Sequence, residues 1–182
     1  EAYAGGAYLA FEVTSERERV AILEASGHDL VYVNGELRPG DPYGHGFLRL
    51  PVALRAGTNE LLVRTSRGRF AGRLVEPPAE VFLLDGDGTW PELPITTGPE
   101  ASGAGGPELA AVVVVNATRA PLVGWFVRAR VESWDRPLGT PVPTIPALSA
   151  RKVPVHLVPF LIGTKPGPVP AAAAIARARA AD

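Results

Sequence analysis

The sequence predicts an all-β chain made of two sandwich units, and three observations carry that expectation. Twenty Gly and 19 Pro are spread through 182 residues, which long helices tolerate poorly and short strands joined by turns tolerate well. Short segments alternate apolar and polar side chains, the pattern of a half-buried strand. Asn34-Gly35 stands between extended apolar residues, and both accept the positive φ that a two-residue hairpin demands.

Taken in order, residues 1–6 read as a frayed entry. In 7–13, Leu9, Phe11 and Val13 share one face of a strand. The charged SERER stretch is a turn, 20–25 is the next strand, and Ser26-Gly27-His28-Asp29 ends it. His28 beside Asp29 reads as a solvated turn rather than a catalytic pair. Residues 30–33 lead into the Asn34-Gly35 hairpin. A Gly/Pro-rich loop, a strand and the RAGTN turn at 55–59 follow. Leu61, Val63 and Thr65 then alternate with Glu60, Leu62 and Arg64. Residues 69–75 form a further strand, with Gly68 and Gly72 allowing a turn and a bulge. Pro77-Pro78 breaks it, and 81–84 closes the first unit.

Residues 85–107 hold DGDGTWPELP and TTGPEASGAGGPE, rich in Gly and Pro and without a period; they read as a linker. The second unit begins near residue 108 with the back-to-back β-branched AAVVVVN. A long strand at 122–131 sets Trp125, Val127, Ala129 and Val131 on one face, and 153–158 alternates around His156. Few other strands are evident up to 162, so Val112 to Val115 and Trp125 are expected to need cover. Residues 163–170 resemble a linker, and 171–181 (AAAAIARARAA) read as a short helix, because Ala and Arg are strong helix formers.

Two motifs add a family resemblance. Val33-Asn34-Gly35 and Gly57-Thr58-Asn59-Glu60-Leu61-Leu62-Val63 resemble the hairpin and late-strand signatures of the galactose-binding-like jelly-roll domain. That domain stands beside the catalytic domains of bacterial glycoside hydrolases such as the beta-galactosidase group, and before some bacterial esterases and peptidases. The resemblance spans about residues 7–84. It implies a jelly roll over 1–84; the strands of 108–162 are read separately as a smaller immunoglobulin-like sandwich. It also implies an accessory module more strongly than it implies sugar binding.

Composition removes several chemistries. There is no Cys, which excludes disulfides, thiolate catalysis and Cys-based zinc sites. A net charge of −1 gives no electrostatic case for nucleic acid. No apolar run is long enough to span a membrane. The chain starts at Glu1 and has no Met; it reads as a processed product or an excerpt, with a periplasmic or secreted setting expected. The sequence contains no G-x-S-x-G, H-E-x-x-H, P-loop or G-x-G-x-x-G.

The best candidate site is the loop 40–46 (GDPYGHG). Sugar recognition uses an aromatic platform for the ring face and polar groups for the hydroxyls. Tyr43 is the candidate platform, with Asp41, His45 and Arg38 as hydrogen-bonding groups. The competing reading is a loop crossing between sheets, with Tyr43 lying over the core edge. Asp85, Asp87 and Glu92 are a weaker metal candidate. The DGDGT stretch opens like a calcium loop, but Thr96 stands where an EF-hand needs its twelfth-position Glu. Asn116-Ala117-Thr118 is a glycosylation sequon by pattern.

The expectation is therefore a non-catalytic N-terminal accessory region of a larger bacterial hydrolase. Its partner is a catalytic domain in the same parent chain, and it needs no cofactor. The alternative is a carbohydrate-binding module that uses the 40–46 loop to hold a glycan.

Overall fold

The computed structural model describes residues 7–41, 43, 45–46, 48–65, 70–90, 108–131, 138–157 and 171–177. These residues form antiparallel strands and no helix. The chain divides into two compact units. One comprises Glu1–Glu80, Val115–Ala120 and Ala147–Ala150; the other comprises Val81–Val114, Pro121–Pro146 and Arg151–Asp182.

In the first unit, strands β1 (Ala7–Ser15), β2 (Arg19–Ser26), β3 (His28–Val33), β4 (Glu36–Asp41), β5 (Arg49–Leu54), β6 (Gly57–Thr65) and β7 (Ala71–Val75) make two sheets. Their orders are β1-β6-β3-β4 and β5-β2-β7. Val31, Val33, Leu61 and Val63 of the first sheet share one buried cluster with Ala21, Leu23, Leu50, Val52 and Leu54 of the second. That shared cluster is the interior of a sandwich.

Local chemistry explains the corners. Asn34 (φ 52°) and Gly35 (φ 84°) both adopt positive φ between β3 and β4, as a two-residue hairpin requires. Gly27 (φ 80°) alone joins β2 to β3, passing the chain from one sheet to the other. Pro39 and Pro51 lie within strands that are sheet edges, where a missing N–H is tolerated. The Gly/Pro-rich loop expected after the hairpin therefore starts later, once β4 has run to Asp41.

The second unit is built from β8 (Val81–Thr89), β9 (Glu108–Asn116), β10 (Trp125–Val131), β11 (Leu138–Pro141), β12 (Ser149–Leu157) and β13 (Ala171–Arg177). Their sheet orders are β12-β9-β8 and β11-β10-β13. Val112, Val114, Val127, Ala129, Val153, Val155 and Leu157 are buried together, with Val81, Leu83 and Trp125 packed against them.

Three expectations change here. Residues 171–177 form a strand, not a helix, and pair antiparallel with β10 from Val131↔Ala171 to Trp125↔Arg177. Helix propensity is a weak prior, and hydrogen bonding along the open edge of β10 overrides it. Val112 to Val115 do not lack cover: each is buried within the chain. The DGDGT residues, read as the start of a linker, continue β8 as extended strand. Trp90, just beyond, carries its indole over Gly88, where an added Cβ would lie 2.9 Å from Nε1.

Candidate functional site

The loop after β4 is fastened at Gly46. The Gly46 N–H donates to Asp41 Oδ2 at 2.6 Å, and the Gly46 carbonyl accepts from Arg49 Nη1 at 2.8 Å. Asp41 is buried. The closed loop holds Tyr43 out in solvent, 70% exposed. The Tyr43 and His45 rings lie 5.9 Å apart between centroids and 30° apart in plane. Tyr43 does not lie over the core edge. The structure thus brings the Tyr43 and His45 rings together on the loop, while buried Asp41, the last residue of β4, anchors it.

Arg38 is engaged elsewhere. Its guanidinium donates to the carbonyls of Pro51, at 3.0 Å, and of Leu148, and pairs with Glu36 at 3.2 Å. Leu148 adopts φ 51°, an uncommon conformation for a branched side chain. Arg38 therefore ties the Ala147–Ala150 segment to β5 within the first unit.

His28 is not in a solvated turn. The corner at Gly27 carries it inward to full burial, edge-on to Phe70 with ring centroids 5.8 Å apart. Neither ring nitrogen has a hydrogen-bond partner among the described residues. Burial lowers its pKa below the ordinary value of 6.5, partly opposed by the carboxylates of Asp41 and Asp29. Asp41 stands opposite it in the β3–β4 register. At the same place β4 approaches so closely that a Cβ on Gly40 would lie 2.4 Å from the His28 carbonyl oxygen.

The metal candidates are not brought together as a described cluster. Asp87 pairs with Lys152 at 3.0 Å. Asp85 contributes backbone to β8, while its side chain and Glu92 lie outside the described residues. Among the described residues no group of three or more His, Asp or Glu is placed to hold a metal ion. Asn116 of the sequon is buried; its Oδ1 accepts from the Thr118 N–H and hydroxyl, and its Nδ2 donates to the Ala120 carbonyl. The sequon is thereby an Asx-type turn.

Sequence reading missed one cluster. The Glu24 carboxylate on β2 lies between two guanidinium groups, Arg49 Nε at 2.9 Å and Arg73 Nε at 2.5 Å. These residues come from three strands that pair as Arg49↔Glu24↔Arg73. Only the strand register reveals the row. It borders a shallow depression of about 340 Å³ that also takes in Ser26, Gly46 and Gly72.

No protein-family model matches this chain, and no curated protein sequence does. Solved structures similar to it include two crystal structures of GH2 beta-galacturonidase from Eisenbergiella tayi. The one bound to galacturonate is 15% identical, with a TM-score of 0.38, covering 86% of this chain and 30% of the other. The one bound to glycerol is 13% identical, with a TM-score of 0.36, covering 86% and 29%. This chain therefore spans less than a third of the length of those glycoside hydrolase chains.

Proposed function

We propose that this chain is a non-catalytic accessory region of a larger bacterial hydrolase, with a jelly roll as its first unit and a smaller sandwich as its second. One observation carries the reading. The outward face of the β1-β6-β3-β4 sheet carries apolar side chains on all four strands, interrupted by Arg64 and, at one end, by the Glu12↔Glu60 pair. One row runs Ala10↔Leu62↔Tyr32↔Leu37, and the next runs Tyr8↔Arg64↔Leu30↔Pro39. Tyr8 is 55% exposed and Leu37 58%. The opposite face already buries Val31, Val33, Leu61 and Val63. A free-standing antiparallel sheet ordinarily presents a polar outer face, and contiguous exposed apolar patches mark interaction surfaces. A catalytic domain of the same parent chain is the occupant this reading assigns. The family resemblance of Val33-Asn34-Gly35 and Gly57 to Val63 supports the same reading.

The test is site-directed photo-crosslinking in the full parent protein. A photoreactive phenylalanine at position 8 or 37 should cross-link within the chain to the catalytic domain. Cross-links absent at both positions, with a control at exposed Arg119 equally silent, would count against docking through this face.

The loop supports a second reading, a carbohydrate-binding module. The exposed Tyr43–His45 ring pair on a fastened loop is the observation that favours it. Tyr43→Ala should then abolish glycan capture on an array while the melting profile stays unchanged. No hit for the unmutated chain would remove this reading.

A further inference from the structure

We infer that the depression beside Glu24, Arg49 and Arg73 is an anion-recognising subsite, suited to an acidic sugar residue. The inference deepens the carbohydrate reading, but neither Tyr43 nor His45 lines the depression, so the two can fail separately.

The charge comes first. Two guanidinium groups face the one carboxylate of the row, Glu24; the nearby Asp41 carboxylate is buried and already accepts from the Gly46 N–H. Preorganisation comes second. Each Arg is held through Nε by the same carboxylate, and Arg49 is further held by the Gly46 carbonyl. Ordering such side chains ordinarily opposes binding, and here they are already ordered. Arg73 stays 72% exposed, and its terminal nitrogens have no other hydrogen-bond partner among the described residues. A guanidinium edge presents paired donors that match a carboxylate or a sulfate.

Shape comes third. The lining between the charged groups is the backbone at Ala25 and Gly72 with the Ala71 methyl beside it, a low seat for a ring face; the Ala25 side chain itself belongs to the core. At Gly72 an added Cβ would point inward, 2.7 Å from the Phe70 ring, so the outward side of that residue stays bare backbone. Ser26 lies on the same lining, as a hydroxyl partner for a polyol. An anionic group would meet the outer edge of Arg73 while the ring rests on the small residues.

The experiment is a two-dimensional amide NMR titration of the whole chain with three probes. Methyl glucuronide and methyl glucoside differ only in the carboxylate; inorganic sulfate supplies an anion without a ring. Glucuronide should shift resonances of residues 24–26, 46 and 71–73, and glucoside should bind at least about tenfold more weakly. Arg73→Gln, an exposed substitution that leaves the spectrum folded, should weaken glucuronide about tenfold. Tyr43→Ala should not. Equal binding of glucuronide and glucoside, or no loss in R73Q, overturns the subsite. Sulfate binding as tightly as glucuronide overturns its sugar part, leaving an adventitious ion only. Loss in Y43A with R73Q unaffected overturns the subsite and leaves the platform reading standing.

Discussion

Asn34 Nδ2 donates to Asn59 Oδ1 at 2.8 Å, so the two motifs that carry the family resemblance meet in one hydrogen bond. The contact is reinforced on both sides. Asn34 also accepts from the Glu60 N–H at 3.1 Å, and its own N–H donates to the Glu60 carbonyl. Asn59 is fully buried. Its Oδ1 accepts from the Arg55 N–H, and its Nδ2 donates to the carbonyls of Arg55 and Gly57. The side chains of both motifs thus bind the β3–β4 turn to the β5–β6 turn.

Asn59→Ala should therefore cost about 3 kcal/mol, because it strands buried backbone groups and frees Asn34. Urea unfolding followed through the amide NMR resonances of the first unit measures the change. A loss below about 1 kcal/mol would show that water or a shifted turn replaces the amide.

Two glycines should fail for different reasons. Gly35→Val should cost on the order of 1–3 kcal/mol through its positive φ, since nothing lies within 4 Å of an added Cβ. Gly35→Asn should recover most of that, because Asn tolerates this conformation. Gly40→Ala has no such rescue. Its Cβ would strike the backbone of His28 and Asp29 at 2.4–2.5 Å, and about 3 kcal/mol is expected. Equal losses for Gly35→Val and Gly35→Asn would mean the turn is not torsionally limited.

His28 should make the first unit acid-sensitive. Its folded-state pKa lies below the ordinary 6.5 because burial opposes the charged form. The unfolded chain then binds the proton more readily. The stability contribution is full above about pH 6.5, is lost as pH falls through that value, and levels off below the lowered folded-state pKa. His28→Leu should flatten this part of the stability profile. The urea midpoint between about pH 7.5 and pH 5 is the readout. An unchanged slope in His28→Leu would assign the acid sensitivity elsewhere.

Local signals made much of the fold legible. Asn34-Gly35 announced its hairpin, and the alternation in Leu61, Val63 and Thr65 matches their burial in β6. Long-range pairing was not legible. Ala171–Arg177 carries helix formers yet extends β10's sheet, and only the partner strand explains that. Val112 to Val115 looked uncovered because the strands that bury them lie far away in sequence. The site divided in the same way. Tyr43 and His45 sit on one short loop and could be grouped by eye. The Arg49–Glu24–Arg73 row joins three strands and becomes visible only through their register.

The central claim is that this chain supports a hydrolase without being one. Residues 1–182 expressed alone, assayed on ester, peptide and aryl-glycoside substrates, test it most directly. The expected result is no turnover above that of a buffer control carried through the same purification. Turnover that survives repurification and vanishes when one residue of this chain is replaced would contradict the claim.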